Sequence, residues 1–73
     1  MSTALIELDR GIRITFRDGE ENLIGSINGD VWAYGYEAED GSWQVQLRIP
    51  VFVDGRGPMD VAGQNVSKVF PRD

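Results

Sequence analysis

The sequence predicts an all-β fold: a small antiparallel meander rolled into a barrel of about five strands, with a short helical turn as an option near the C terminus. Three observations carry this. Hairpin-type dipeptides stand at Asp18-Gly19, Asn28-Gly29 and Asp40-Gly41, and a fourth, Asp54-Gly55, opens the looser loop DGRGP. Such dipeptides accept the positive φ that two-residue hairpin turns require. The runs between them are rich in β-branched and aromatic residues and are of strand length. Finally, 73 residues without a cysteine leave apolar burial within one domain, residues 1–73, to hold the chain together. At that size, closing the sheet on itself hides edges and concentrates the core.

Taken in order, residues 4–9 fit neither the helical nor the strand period and are read as a short strand or a helical turn. Strands are expected at about 11–17, 21–28, 31–38 and 43–53. Pro50 lacks a backbone donor, so the last of these should bend or meet an edge there. Residues 58–70 admit two readings. Met59, Ala62, Val66, Val69 and Phe70 are spaced like one helix face, with Pro58 suited to a first helical position. The favoured alternative is a strand near 59–62, a turn at Gly63-Gln64-Asn65 and a closing strand near 66–70, because Gly63, Asn65 and the valines weaken a helix.

Tight two-residue turns fix a register. Counted from Asp40-Gly41, Tyr36 faces Val45, Tyr34 faces Leu47 and Trp32 faces Ile49, so one face is apolar. Counted from Asn28-Gly29, Leu23 faces Tyr34 and Gly25 faces Trp32, the glycine leaving room for the indole. Counted from Asp18-Gly19, Ile14 faces Leu23 and Ile12 faces Gly25. All three counts place the stripe Trp32, Tyr34, Tyr36 in the core. A slip of one residue would invert the assignment, because strand side chains alternate between faces.

Composition limits the chemistry. There is no histidine and no cysteine, which removes the usual acyl-transfer triads and thiolate metal sites; no catalytic residue, metal ligand or cofactor site is assigned, and the chain is read as no enzyme. The formal charge is −5 and the basic residues are scattered, which disfavours nucleic acid and anionic membranes as partners. The N terminus has no basic region before an apolar run, so no signal peptide is read and a cytoplasmic location is expected. The carboxylates of DGEEN, residues 18–22, are read as a solvated hairpin tip, and DGRGP, residues 54–58, as a plain loop around Arg56.

Two resemblances follow from particular stretches. AYGYEA, residues 33–38, is similar at Tyr34, Tyr36, Glu37 and Ala38 to the opening motif of SH3 domains; the inward register of both tyrosines speaks against a peptide groove. FRDGEENLIGSING looks like the first hairpin of Sm-like barrels, and AGQNV, residues 62–66, resembles their closing motif. The resemblance implies a small SH3-like or Sm-like barrel and suggests ring formation. Ala62 stands where that family carries an RNA-binding arginine, so RNA binding is not carried over.

The expected function is a non-catalytic, acidic protein-binding module that self-associates, with a small inhibitor or adaptor of a larger protein as one form. The face opposite the core would supply the contact through Ile24, Val31, Ala33 and Gly35, bordered by Gln44, Gln46 and Arg48, unless Leu5, Ile6 and Leu8 cover it. The alternative is a barrel that binds a small ligand, nucleotide or oligonucleotide at Arg48, Arg56, Tyr36 and Trp43.

Overall fold

The computed structural model describes residues 5–71; the outermost residues of the expected 1–73 domain, and residue 4 of the first segment, lie outside them. Residues 5–12 form no strand or helix. Among the described residues six strands follow: β1 (Arg13–Asp18), β2 (Glu21–Ile27), β3 (Trp32–Glu37), β4 (Trp43–Val53), β5 (Gly57–Ala62) and β6 (Val66–Phe70), with a 3-10 turn, Gly63–Asn65, between the last two. All pairings are antiparallel, and β5-β4-β2-β1-β6 make a curled half-barrel of five strands. The strand–turn–strand reading of residues 58–70 therefore holds, and the helical one does not.

The interior follows the period of two. Ile12, Ile14 and Phe16 from the β1 side, Ile27 from β2, Ile49, Val51 and Val53 from β4 and Val61 from β5 are all buried. Leu8, Leu23, Val31, Met59, Val66 and Val69 pack around them. Val66 and Val69 are three apart, so in a regular strand they would face opposite ways. A bulge resolves this: Ile14 pairs with Val69 while Phe16 pairs with Val66, so the ladder skips a residue and both valines point inward. That bulge is also why the sequence shows helix-like spacing here.

The turns differ from the expected ones in ways that matter. In the first hairpin Asp18 pairs with Glu21, so the turn is Gly19-Glu20. Gly19 takes φ 63° and no non-glycine residue among those described has a positive φ, the pattern of a type II′ turn. Ile14 then faces Gly25 rather than Leu23, an even shift that preserves the buried face. Asn28-Gly29 makes no hairpin at all. β2 pairs with β4 through Gly25–Val53, Ser26–Phe52 and Ile27–Val51, and Asn28 N–H donates to the Pro50 carbonyl at 3.0 Å. Gly25 is thus tight against β4, not opened for the Trp32 indole: a Cβ there would lie 2.5 Å from the Phe52 carbonyl oxygen and 2.6 Å from Val51 Cγ1.

β4 explains the architecture. Arg48 pairs with Trp32 on one side and Ala62 on the other, and Val51 pairs with Ile27 on one side and Met59 on the other. On one edge, then, β4 runs first along β3 and later along β2; on the other edge Arg48–Val53 runs along β5. Pro50 falls where the first edge changes neighbours, a place where a missing donor leaves nothing unpaired. The first half of β4 and all of β3 consequently project from the half-barrel as a two-stranded arm. The radius of gyration, 13.7 Å, exceeds the roughly 11 Å of a compact chain of this length.

Candidate functional site

The arm owes its geometry to its loop. Ala38 N–H donates to the Ser42 carbonyl at 2.8 Å and Gly41 N–H to the Ala38 carbonyl at 2.9 Å, so Glu39, Asp40 and Gly41 form a three-residue connection. Gly41 has φ 85° while Asp40 stays negative, a type I turn followed by a left-handed glycine. The Asp40 carboxylate accepts from Ser42 N–H at 2.9 Å and Ser42 Oγ at 2.6 Å. The hydroxyl contact, then the amide one, holds its pKa below the usual carboxylate value. This Asx-type capture keeps Asp40 out of the left-handed conformation and brings Glu39 into the loop.

One added loop residue shifts the register by one. Trp32 pairs with Arg48, Tyr34 with Gln46 and Tyr36 with Gln44, while Ala33 pairs with Leu47, Gly35 with Val45 and Glu37 with Trp43. The expected core stripe is overturned. Trp32 is 48% exposed, and Tyr34 and Tyr36 are exposed beside it, because every side chain of β3 has moved to the other face relative to β4. Their rings form a row with centroids 5.5 and 6.2 Å apart, and Tyr34 Oη donates to Gln46 Oε1 at 2.9 Å.

The arm therefore has two unlike faces. By alternation along β4, Trp43, Val45 and Leu47 continue the row of Ile49, Val51 and Val53 beyond the half-barrel, and among the described residues no layer packs over them: Trp43 is 69% and Val45 74% exposed. Opposite this ridge lie Ala33 and Gly35, which leave a shallow trough. On the far side of the ridge from that trough, where β4 meets the 3-10 turn, an open recess of about 260 Å³ is lined by Val45, Gln46, Leu47, Ala62, Gly63 and Gln64. Gly63 is fitted closely there, since a Cβ would come within 2.9 Å of Leu47 Cβ. The other face carries the aromatic row together with Gln44, Gln46 and Arg48.

The residues expected to bind a partner are divided by this arrangement. Ala33 and Gly35 share the ridge face; Gln44, Gln46 and Arg48 lie on the aromatic face. Val31 packs against the core, and Ile24 is exposed on β2, which is not a neighbour of β3. Nor do Leu5, Ile6 and Leu8 cover a strip: Leu5 and Ile6 are exposed and Leu8 packs against the core. The set expected for a small ligand is likewise dispersed. Arg48 and Arg56 stand at opposite ends of the β4–β5 ladder, and Tyr36 and Trp43 are on opposite faces of the arm.

Arg13, Arg48 and Arg56 are engaged locally. Arg13 makes two hydrogen bonds to Asp54, at 3.1 and 2.6 Å, and a third to Ser26 Oγ at 3.0 Å. The hydrogen bond from Arg13 holds the Asp54 carboxyl below its ordinary value. Arg56 pairs with Glu21 across the two hairpin ends. Arg48 Nε lies 3.1 Å from Asp60 Oδ2, a charge contact without aligned hydrogen-bond geometry. Sequence reasoning missed the ridge Trp43, Val45, Leu47 because it assumed the shorter loop; the Asp40-x-Ser42 pattern was the signal available. No protein-family model matches the chain, and no curated protein or solved structure is significantly similar to it.

Proposed function

We propose that this chain is a non-catalytic protein-binding module whose binding element is the β3–β4 arm, and that it self-associates through the ridge face of that arm. One observation carries the reading: the face that buries Ile49, Val51 and Val53 inside the half-barrel runs on outside it as Trp43, Val45 and Leu47, exposed and with no covering layer among the described residues. A sheet face of that kind ordinarily packs against another.

The second copy is the occupant that the shape fits. A two-fold contact places one surface against itself, so a self-complementary face needs a projection and a hollow side by side. Here the ridge on β4 lies beside the Ala33–Gly35 trough on β3, and a two-fold rotation sets each ridge into the other trough. Glu37 at the arm's end is the one charged side chain on this face, so little charge is desolvated.

Sedimentation equilibrium across micromolar concentrations tests this. The wild-type chain is expected to form a dimer or larger assembly. Val45→Glu, at a solvated position where the fold has little to lose, should weaken association at least tenfold, with a melting temperature like the wild type's at dilutions where both chains are monomeric. A wild-type chain that stays monomeric at several hundred micromolar, or a Val45→Glu variant that associates as before, would remove the proposal.

A further inference from the structure

The outer edge and the aromatic face of the arm form a second surface, independent of the one just described. Among the described residues β3 ends the strand order, pairing with β4 alone. Because Ala38 and Ser42 are a hydrogen-bonded pair, alternation turns the backbone groups of Trp32, Tyr34 and Tyr36 toward β4. Those of Ala33, Gly35 and Glu37 turn outward. This edge has no proline, lysine or bulge, the usual devices that keep another strand away. Along it runs the ring row, whose spacings of 5.5 and 6.2 Å approach the roughly 6.6–6.8 Å two-residue repeat of an extended chain.

The charge around this row is one-sided. Asp30 stands exposed before it, and Glu39 and Asp40 stand exposed beyond it. The only cation among residues 30–48 is Arg48, already against Asp60. A cation over an indole or phenol face is attracted by the ring quadrupole, and the carboxylates at both ends add to that attraction. Nucleic acid would meet like charge here, and a neutral glycan would make no use of the acidic fringe.

We infer that the free edge of β3 receives an extended basic segment of another protein, added as a further strand, with arginine or lysine at alternate positions lying over Trp32, Tyr34 and Tyr36. Backbone pairing at Ala33, Gly35 and Glu37 would supply affinity, and the ring row would select for alternating cations. The contact uses the opposite face from the ridge and does not depend on self-association.

The test is a titration read by Trp32 fluorescence in a Trp43→Phe background, at concentrations where the chain is dispersed. The probe is a synthetic nonapeptide alternating arginine and threonine. A saturable change is expected that weakens as salt is added. Binding should fall at least tenfold in Ala33→Pro, whose lost N–H faces solvent in the free protein, and at least as far in the double variant Trp32→Phe, Tyr34→Ser, read by calorimetry. It should persist in Val45→Glu, so that loss of the ridge contact and loss of this one are told apart. Equal binding of an isomer with its arginines contiguous would reduce the effect to bulk charge and overturn the inference. So would unchanged binding by both edge and ring variants. A response to a single-stranded oligonucleotide or an oligosaccharide with none to the peptide would overturn it equally.

Discussion

Gly25 illustrates how much one position can depend on a neighbour the local sequence does not reveal. A glycine inside a β-rich run marks a close approach, and that much is legible in the sequence. The approaching group is not the Trp32 ring but the β4 backbone, at Phe52 and Val51. A methyl group has nowhere to go, because a carbonyl oxygen in a paired ladder cannot swing aside as a side-chain tip can. Gly25→Ala should therefore cost about 1–3 kcal/mol, the range for overpacking a dense interior, measured as a lowered urea midpoint with unchanged slope. The same substitution at Gly35, where the nearest atom to a new Cβ is 3.5 Å away, should leave the midpoint close to wild type. Asp40 teaches the complementary lesson. Its carboxylate, by taking the Ser42 amide and hydroxyl, sets the loop length and with it the face on which three aromatic rings appear.

Elements whose partners are close in sequence, or whose two-residue period is strong, could be read directly. β1 with β2, the second half of β4, and β5 and β6 around Gly63–Asn65 fall within a few residues of their expected bounds. Isoleucine and valine alternate there, and a buried face tolerates no slip. The β2–β3 hairpin failed for a different reason: Asn28-Gly29 carries the local turn chemistry, but β4 offers β2 a longer-range pairing through Val51 and Val53, both buried. Tertiary packing outweighed the turn. The arm failed on loop length alone. Its strands have the right residues in the right places and the wrong relative register. Their stability should also differ from that of the half-barrel, since every residue of β3 is exposed. In the dispersed chain, hydrogen exchange followed by NMR should show the β4-facing amides of Tyr34 and Tyr36 exchanging orders of magnitude faster than those of Ile14 and Val51. Local opening of the arm would cost far less than global unfolding.

At the scale of the whole molecule, a formal charge of −5 works on the two proposed contacts in opposite senses. Copies of one acidic chain repel, and added salt screens that repulsion, so self-association should tighten as ionic strength rises from 20 to about 300 mM, where the Debye length shortens from roughly 20 to 6 Å. Capture of a basic strand should loosen over the same range. Light scattering and the fluorescence titration, run in parallel buffers, give the two slopes, and slopes of the same sign would show that one of the contacts has been misread. The neck at Asn28 and Pro50, joined by a single backbone hydrogen bond, has a wider implication. The excursion leaves the half-barrel and returns to it at adjacent points, and only its base, at Val31 and Leu47, touches the scaffold; beyond those residues nothing fixes how long it is or what it displays. Recognition could be rewritten there, residue by residue, in a graft that the interior would never register.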